Sequence, residues 1–256
     1  MSVNYVNFEQ AIGLDGIKLQ VIKGIPSPWC EAAKAILYIK NIDYFAVFHD
    51  PFNQSQTLWF ESSSAPSLKF NQQAAKVDWH DILNFAEEHS PSPSLLPQNS
   101  NDKEEHLQLC HALCSQNGLG WYRRLQSVHQ GLLKEGGFPY QIALYLADKY
   151  GYQQKDALLY ESEVIRILHL LELRLSKQKS LGKAYYFSGQ LSALDIYSAM
   201  FMAYFKPLPN DVCSMYQGIR TAFEDTSLAI TQALDPILLE HRDFIYNNHL
   251  ELPLSL

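Results

Sequence analysis

Ser27 and Cys30 stand three residues apart in the run Ser27-Pro28-Trp29-Cys30. Upstream, Leu19 and Val21 alternate with Lys18 and Gln20, the pattern of a strand with one buried face. Downstream, Ala32, Ala35, Ile36 and Ile39 recur at three- and four-residue steps, a helical stripe that Asn41 closes. Pro26 and Pro28 break the pattern between them. The spacing therefore places Ser27 and Cys30 at the mouth of a helix that follows a strand. Unpaired N–H groups and the positive end of the helix dipole point there, so a thiolate or a bound carboxylate is stabilised.

Other chemistry-bearing residues are less organised. Cys110 and Cys114 form a CxxxC pair, but no second pair and no nearby histidine ladder completes a metal site. They read as packed thiols in a reducing compartment. His49, His80 and His129 lack ligand spacing, and no glycine-rich phosphate loop is present. Arg123 and Arg124 follow the break Gly118-Leu119-Gly120. Adjacent helical residues diverge, so at most one of the two faces a given cleft, where it would suit a carboxylate. Trp121 and Tyr122 either line the apolar half of a pocket or pack in the core. Ser192 and Asp195 are spaced as an N-cap and its N3 partner, with Leu191 and Ile196 at the hydrophobic-staple positions.

The elements that position these residues change character along the chain. Residues 1–16 read as an arm before the first strand. After the central motif come a strand over 43–48, a short helix over 53–60 and a strand over 66–70. A short last strand over 74–77 and a helix over 78–88 follow. Two parallel strands joined through a helix, then a hairpin, make a compact α/β unit. Ser90-Pro91-Ser92-Pro93-Ser94-Leu95-Leu96-Pro97 cannot form a regular element and marks a linker. Beyond it the pattern is helical. The stretch 155–177 is apolar over a wide arc and reads as the core helix. A helix over 193–205 stops before Pro207, and two more cover 215–223 and 236–246. The apolar tail from His249 to Leu256 reads as packed down.

Composition bounds the rest. The 256 residues can hold one large domain or two small ones, and 47% hydrophobic content is ordinary for a globular protein. A net charge of -7 with no long basic run argues against a nucleic-acid partner. No apolar stretch reaches the roughly 20 residues of a membrane span, and no signal peptide is visible. The expected location is cytoplasmic.

Four local motifs together resemble a cytosolic glutathione S-transferase, as a divergent member. Ser27-Pro28-Trp29-Cys30 with Lys40-Asn41-Ile42-Asp43-Tyr44 resembles the start and close of the family's first helix. Ala65-Pro66 resembles the cis-proline before the third strand. Ser94-Leu95-Leu96-Pro97 resembles the end of the family's linker. Ser192-Ala193-Leu194-Asp195 resembles the capping box of its buried helix. The resemblance implies an α/β thioredoxin-like N-terminal domain over residues 1–89, a linker over 90–100 and an all-α C-terminal domain over 101–256. It also implies a homodimer with glutathione as cofactor and a small apolar electrophile as substrate, and no metal. Carried over by position, Ser27 faces the glutathione sulfur and stabilises its thiolate, and Cys30 matches the second cysteine of a glutaredoxin-like motif. The cofactor-binding set becomes Ser27, Trp29, Ala65, Pro66 and Asp78, and the substrate pocket Tyr122, Arg123 and Arg124. One departure stands out. The family's acid–hydroxyl pair at the start of its third helix is here Asp78-Trp79, so the hydroxyl is missing. A non-catalytic binding protein of the same fold, or a Cys30-dependent thiol-disulfide reductase, are the alternatives.

Overall fold

A computed structural model describes residues 3–187 and 189–256. Four strands form one sheet: β1 (Asn4–Val6), β2 (Ile17–Val21), β3 (Tyr44–Phe48) and β4 (Ser67–Phe70), in the order β1-β3-β2-β4. β1 and β2 both run parallel to β3, while β4 is antiparallel to β2 with Gln20 opposite Ser67. Helix α1 (Phe8–Gly13) precedes β2, α2 (Pro28–Ile39) joins β2 to β3, α3 (Gln54–Trp59) follows β3, and α4 (Trp79–His89) follows β4. This is the expected thioredoxin-like arrangement.

Three details of this region differ from the sequence reading. The first 16 residues are not an arm. They form edge strand β1 and helix α1, which opens with a reciprocal cap between Asn7 and Gln10. Lys18 and Gln20 are not exposed. All five residues of β2 are buried, because the strand has a neighbour on each side and chain over both faces. Lys18 ends on the carbonyls of Leu14 and Gly16, and Gln20 on that of Ser64. On the face away from α2, Phe8, Ala11, Val47 and Phe60 make a small second core. Residues 74–77 form no strand, only an isolated bridge between Leu68 and Lys76.

From Ser100 onward the chain is helical: α5 (Ser100–Cys114), α6 (Leu119–Leu133), α7 (Tyr140–Tyr150), a 3-10 turn, α8 (Ala157–Ser180), α9 (Ala193–Met202), α10 (Gln217–Glu224), α11 (Leu228–Ala233) and α12 (Pro236–His249). The core helix is α9, not α8. Every residue of α9 is buried among α2, α5 and α12. α8 lies outside it and turns Leu158, Leu159 and Leu173 to the surface, Leu158 at 85% exposure. Continuous apolar pattern alone could not rank the two, because both carry it. α9 also ends at Met202 rather than Phe205, and the six-residue α11 has too short a period to show.

The start of α9 is cross-braced. The Asp195 carboxylate accepts from the Ser192 N–H at 2.8 Å, the Ser192 hydroxyl at 2.6 Å and the Tyr186 N–H at 3.0 Å, and His241 Nε2 lies 3.0 Å away. His106 Nε2 accepts the Leu194 N–H at 3.1 Å, which fixes that nitrogen as unprotonated. The linker is held in the same region: the Ala193 N–H donates to the Leu95 carbonyl at 2.8 Å, and Lys40 reaches Glu87 at 2.7 Å and the Pro93 carbonyl at 2.8 Å. Asn41 has φ 53°, the left-handed conformation that glycine and asparagine tolerate.

The tail packs down as expected. Leu250, Leu252, Leu254 and Leu256 lie against the core, and Tyr5 and Lys34 both donate to the Ser255 carbonyl.

Candidate functional site

Two loops leave the same end of the sheet. β2 exits through Gly24 to Ser27, and the antiparallel register of β4 brings the Ala65–Pro66 peptide beside the continuation of β2. That peptide is cis, and Gln20 holds the loop through the Ser64 carbonyl at 3.1 Å. Among the described residues, neither the N–H nor the C=O of Ala65 has a hydrogen-bonding partner. An unpaired main-chain donor and acceptor at the end of a strand form a short template for an extended peptide-like ligand.

Ser27 is the N-cap of α2 but makes no side-chain cap bond. Pro28 at N1 has no N–H to offer, and its fixed φ suits the first turn. The loop before it is pinned by Tyr216, whose N–H donates to the Gly24 carbonyl at 3.1 Å and whose ring lies where a Cβ on Gly24 would be, 2.6 Å away. With φ at 67°, that turn requires glycine twice over.

Cys30 is fully buried one turn into α2. Burial pushes its thiol up to about 11, and the Ile22 backbone and the Ser27 hydroxyl only partly offset this. At neutral pH the group is S–H, not thiolate, and faces Ser27.

The Asp78-Trp79 pair divides. Asp78 is exposed and caps α4, accepting the His80 N–H at 2.8 Å. Trp79 turns away from the sheet into the helical region. Its indole N–H donates to Ser115 Oγ at 2.9 Å, its carbonyl accepts from the Tyr197 hydroxyl at 3.2 Å, and its ring meets Tyr197 edge-on. Ser115, at the end of α5, thus carries a hydroxyl on the Trp79 ring nitrogen. No spacing rule links residues 36 positions apart, so the sequence carried no signal for it.

Trp29 also crosses to the helical region. Its indole N–H donates to the Cys114 carbonyl at 2.7 Å, and its ring meets Phe201 at 77° and 4.9 Å. Gly120 lies against both rings. A Cβ there would stand 2.1 Å from the Phe201 ring and 2.7 Å from that of Trp29, so the glycine-rich break permits this contact.

The three residues expected in a substrate pocket separate. Arg123, at 1% exposure, is sealed in the core. It donates to Gln126 and to the carbonyls of Ala222, Phe223 and Asp225, the orphan acceptors at the end of α10. Burial lowers its pKa to about 10. It has no route to a substrate. Tyr122 is half-buried against Tyr160 at 6.2 Å. Arg124 alone lies by the two loops, its guanidinium 4.5 Å from the Trp29 ring centre and 4.1 Å from that of Tyr150. Lys149 on α7 joins it, donating to the Ser63 carbonyl at 2.9 Å, two residues before Ala65. His49, at the end of β3, lies beside them, its pKa lowered first by burial and then by Lys149.

A groove of about 1040 Å³ runs under the C-terminal tail, between α2 and the starts of β2 and β3. It lies at the opposite end of the sheet, and Ser27, Ala65 and Asp78 do not line it. Among the described residues no group of three or more acidic, histidine or cysteine side chains is placed to hold a metal.

No family model and no curated protein sequence matches the chain. Solved structures do. A glutathione S-transferase from Methylobacterium radiotolerans, in complex with glutathione sulfonate, is 15% identical, with 91% of each chain covered and a TM-score of 0.60. A glutathione S-transferase from Xanthobacter autotrophicus is 14% identical over 92% of this chain and 96% of its own, with a TM-score of 0.58. A beta-etherase from Sphingobium sp. is 15% identical over 90% and 99%, with a TM-score of 0.57.

Proposed function

The chain has the glutathione transferase fold, and from that premise we propose that it is a glutathione-dependent transferase acting on a small electrophile, with Ser27 stabilising the bound thiolate. The observation that carries the reading is the unpaired Ala65 main chain beside cis-Pro66, at the same end of the sheet as a Ser27 hydroxyl that makes no helix cap. The backbone pair suits the cysteinyl amide of glutathione, and the hydroxyl suits its sulfur. Structures of similar fold solved with glutathione or glutathione sulfonate support the ligand class. Asp78 and the Ser115 hydroxyl are assigned to the γ-glutamyl end, with Ser115 in place of the hydroxyl that Trp79 lacks.

In this scheme serine is not a nucleophile. Ser27 donates its proton as a hydrogen bond to the thiolate, which lowers the thiol pKa, and the helix N-terminus adds a smaller contribution. The sulfur then forms a bond to the electrophilic carbon while the leaving group departs with its bonding pair. The proton lost by the thiol goes to solvent. Cys30, held as S–H one turn into α2, lies against the Ser27 hydroxyl from the buried side. Cys30 is therefore a packed thiol behind Ser27 and not a reacting one. The reductase alternative requires it as an accessible thiolate, which its burial opposes. A homodimer is part of the proposal. No helix among the described residues is long and apolar enough to cross a membrane.

Calorimetric titration with reduced glutathione, and with S-hexylglutathione beside it, tests the reading. Binding of both at sub-millimolar affinity is expected. Absence of heat with either would refute it and favour a non-catalytic binding protein, the reading that Trp79 motivates.

A further inference from the structure

We infer that the electrophile is an aromatic anion, recognised by Arg124 and Lys149, rather than a neutral apolar molecule; its assignment as the second substrate rests on the function proposed above. Arg124 is a cation held in place by rings. Its guanidinium carbon lies 4.5 Å from the Trp29 ring centre, 4.1 Å from that of Tyr150 and 6.0 Å from that of Trp121. Trp121 and Tyr150 meet edge-on at 5.1 Å, and the buried Tyr204 lies on the other side of the guanidinium. Lys149 shares the Tyr150 ring at 5.6 Å and anchors on the Ser63 carbonyl. Trp29 is two residues from Ser27, and Ser63 two from Ala65. The two cations therefore stand over the two loops that flank the proposed thiol.

Three physical points select the ligand. First, among the described residues no carboxylate lies within 4 Å of Arg124 or Lys149, although the chain carries an excess of seven negative charges. Other arginines of the molecule, such as Arg166 and Arg242, have found carboxylates. Second, aromatic contact restricts the planar donor fork, so little freedom is lost when a carboxylate or sulfonate docks on it. Third, Trp29, Trp121 and Tyr150 offer ring surface to the body of the same ligand. A neutral apolar compound would leave both cations without a counter-charge while covering them from water, which is unfavourable. An anion with an aromatic body satisfies charge and surface together.

The test compares ligands that differ by one charge. The full-length protein is titrated by calorimetry with 3,5-dinitrobenzoate and with 1,3-dinitrobenzene, without glutathione. The benzoate is expected to bind at least about tenfold more tightly, the range of a charge-assisted bidentate pair. R124Q should bring the two affinities together, R124K should retain part of the preference, and K149Q should weaken the benzoate alone. R124K also serves if R124Q does not fold. Equal affinities, tighter binding of the neutral ring, no binding of either, or a preference that survives R124Q would each overturn the inference. These outcomes are separate from those of the glutathione titration, since no thiol is present. If both hold, the ratio of kcat/KM for 4-chloro-3,5-dinitrobenzoate over 1-chloro-2,4-dinitrobenzene should exceed one and fall in R124Q. In that reaction the sulfur bonds to the ring carbon as chloride leaves.

Discussion

Ser27 and Cys30 look interchangeable as candidates until their surroundings are compared. The serine sits in a half-buried loop with its hydroxyl uncommitted to the helix, while the cysteine is enclosed one turn later. Burial stabilises the neutral thiol, so the group that looks more reactive by type is the less reactive by place. S27A should raise the pKa of bound glutathione by about 1 unit or more and lower kcat/KM at neutral pH about tenfold to a hundredfold. Thiolate absorbance against pH reads the first, and steady-state rates the second. Cys30 gives a sharper comparison. C30S keeps a hydrogen-bonding partner for Ser27 Oγ and should leave the bound-thiol pKa within a few tenths of wild type. C30A removes that partner and should shift it by about half a unit. If both variants behave alike, Cys30 only fills space.

At the scale of elements, the start of α9 joins His106 of α5, Tyr186 of the preceding loop and His241 of α12. His106 has no exposed surface, and burial, only partly offset by Asp195 and Glu87, lowers its pKa to about 4. Its Nε2 must stay unprotonated to accept the Leu194 N–H. The folded pKa lies below the unfolded value of about 6.5, so the unfolded chain binds the extra proton as pH falls between them. Stability from this group is complete above pH 6.5 and is lost progressively down to about pH 4, on the order of 3 kcal/mol in all. Urea unfolding at several pH values should show that slope. H106N should flatten much of it, and the remainder belongs to His49 and His249, whose pKa values burial also lowers.

At the scale of the whole molecule, the tail closes the chain onto its own beginning. Tyr5 of β1 and Lys34 of α2 share the Ser255 carbonyl, and Lys34 holds Glu31 at 2.8 Å, both nearly buried. Removing residues 250–256 withdraws several leucines from the core and opens that ion pair to water. A loss of about 2–4 kcal/mol in chemical denaturation is expected. Glutathione binding should persist, since the tail lies at the far end of the sheet from Ser27.

Alternation and helical period in this chain were enough to place β2, α2, β3, α3, β4 and α4, because each of those signals is local: side chains two, three or four positions apart share a face. Local chemistry also marked the Ser27 helix mouth and the Asp195 cap, while the Ala65–Pro66 peptide was marked by resemblance to a family motif. What period could not rank was depth. α8 and α9 both read as apolar, and only assembly shows that α9 has neighbours on every side while α8 has a surface. Lys18 and Gln20 carried the polar signal of an exposed face, which the covering chain overrode. The site divides along the same line. Arg123 and Arg124 are identical by type and adjacent, yet about 100° of helical rotation sends one to the carbonyls at the end of α10 and the other to the rings beside Ser27. Lys149 and Tyr150 reach the same place from positions far along the chain. Distances between residues that the sequence separates are set by how helices dock, and no local pattern encodes them.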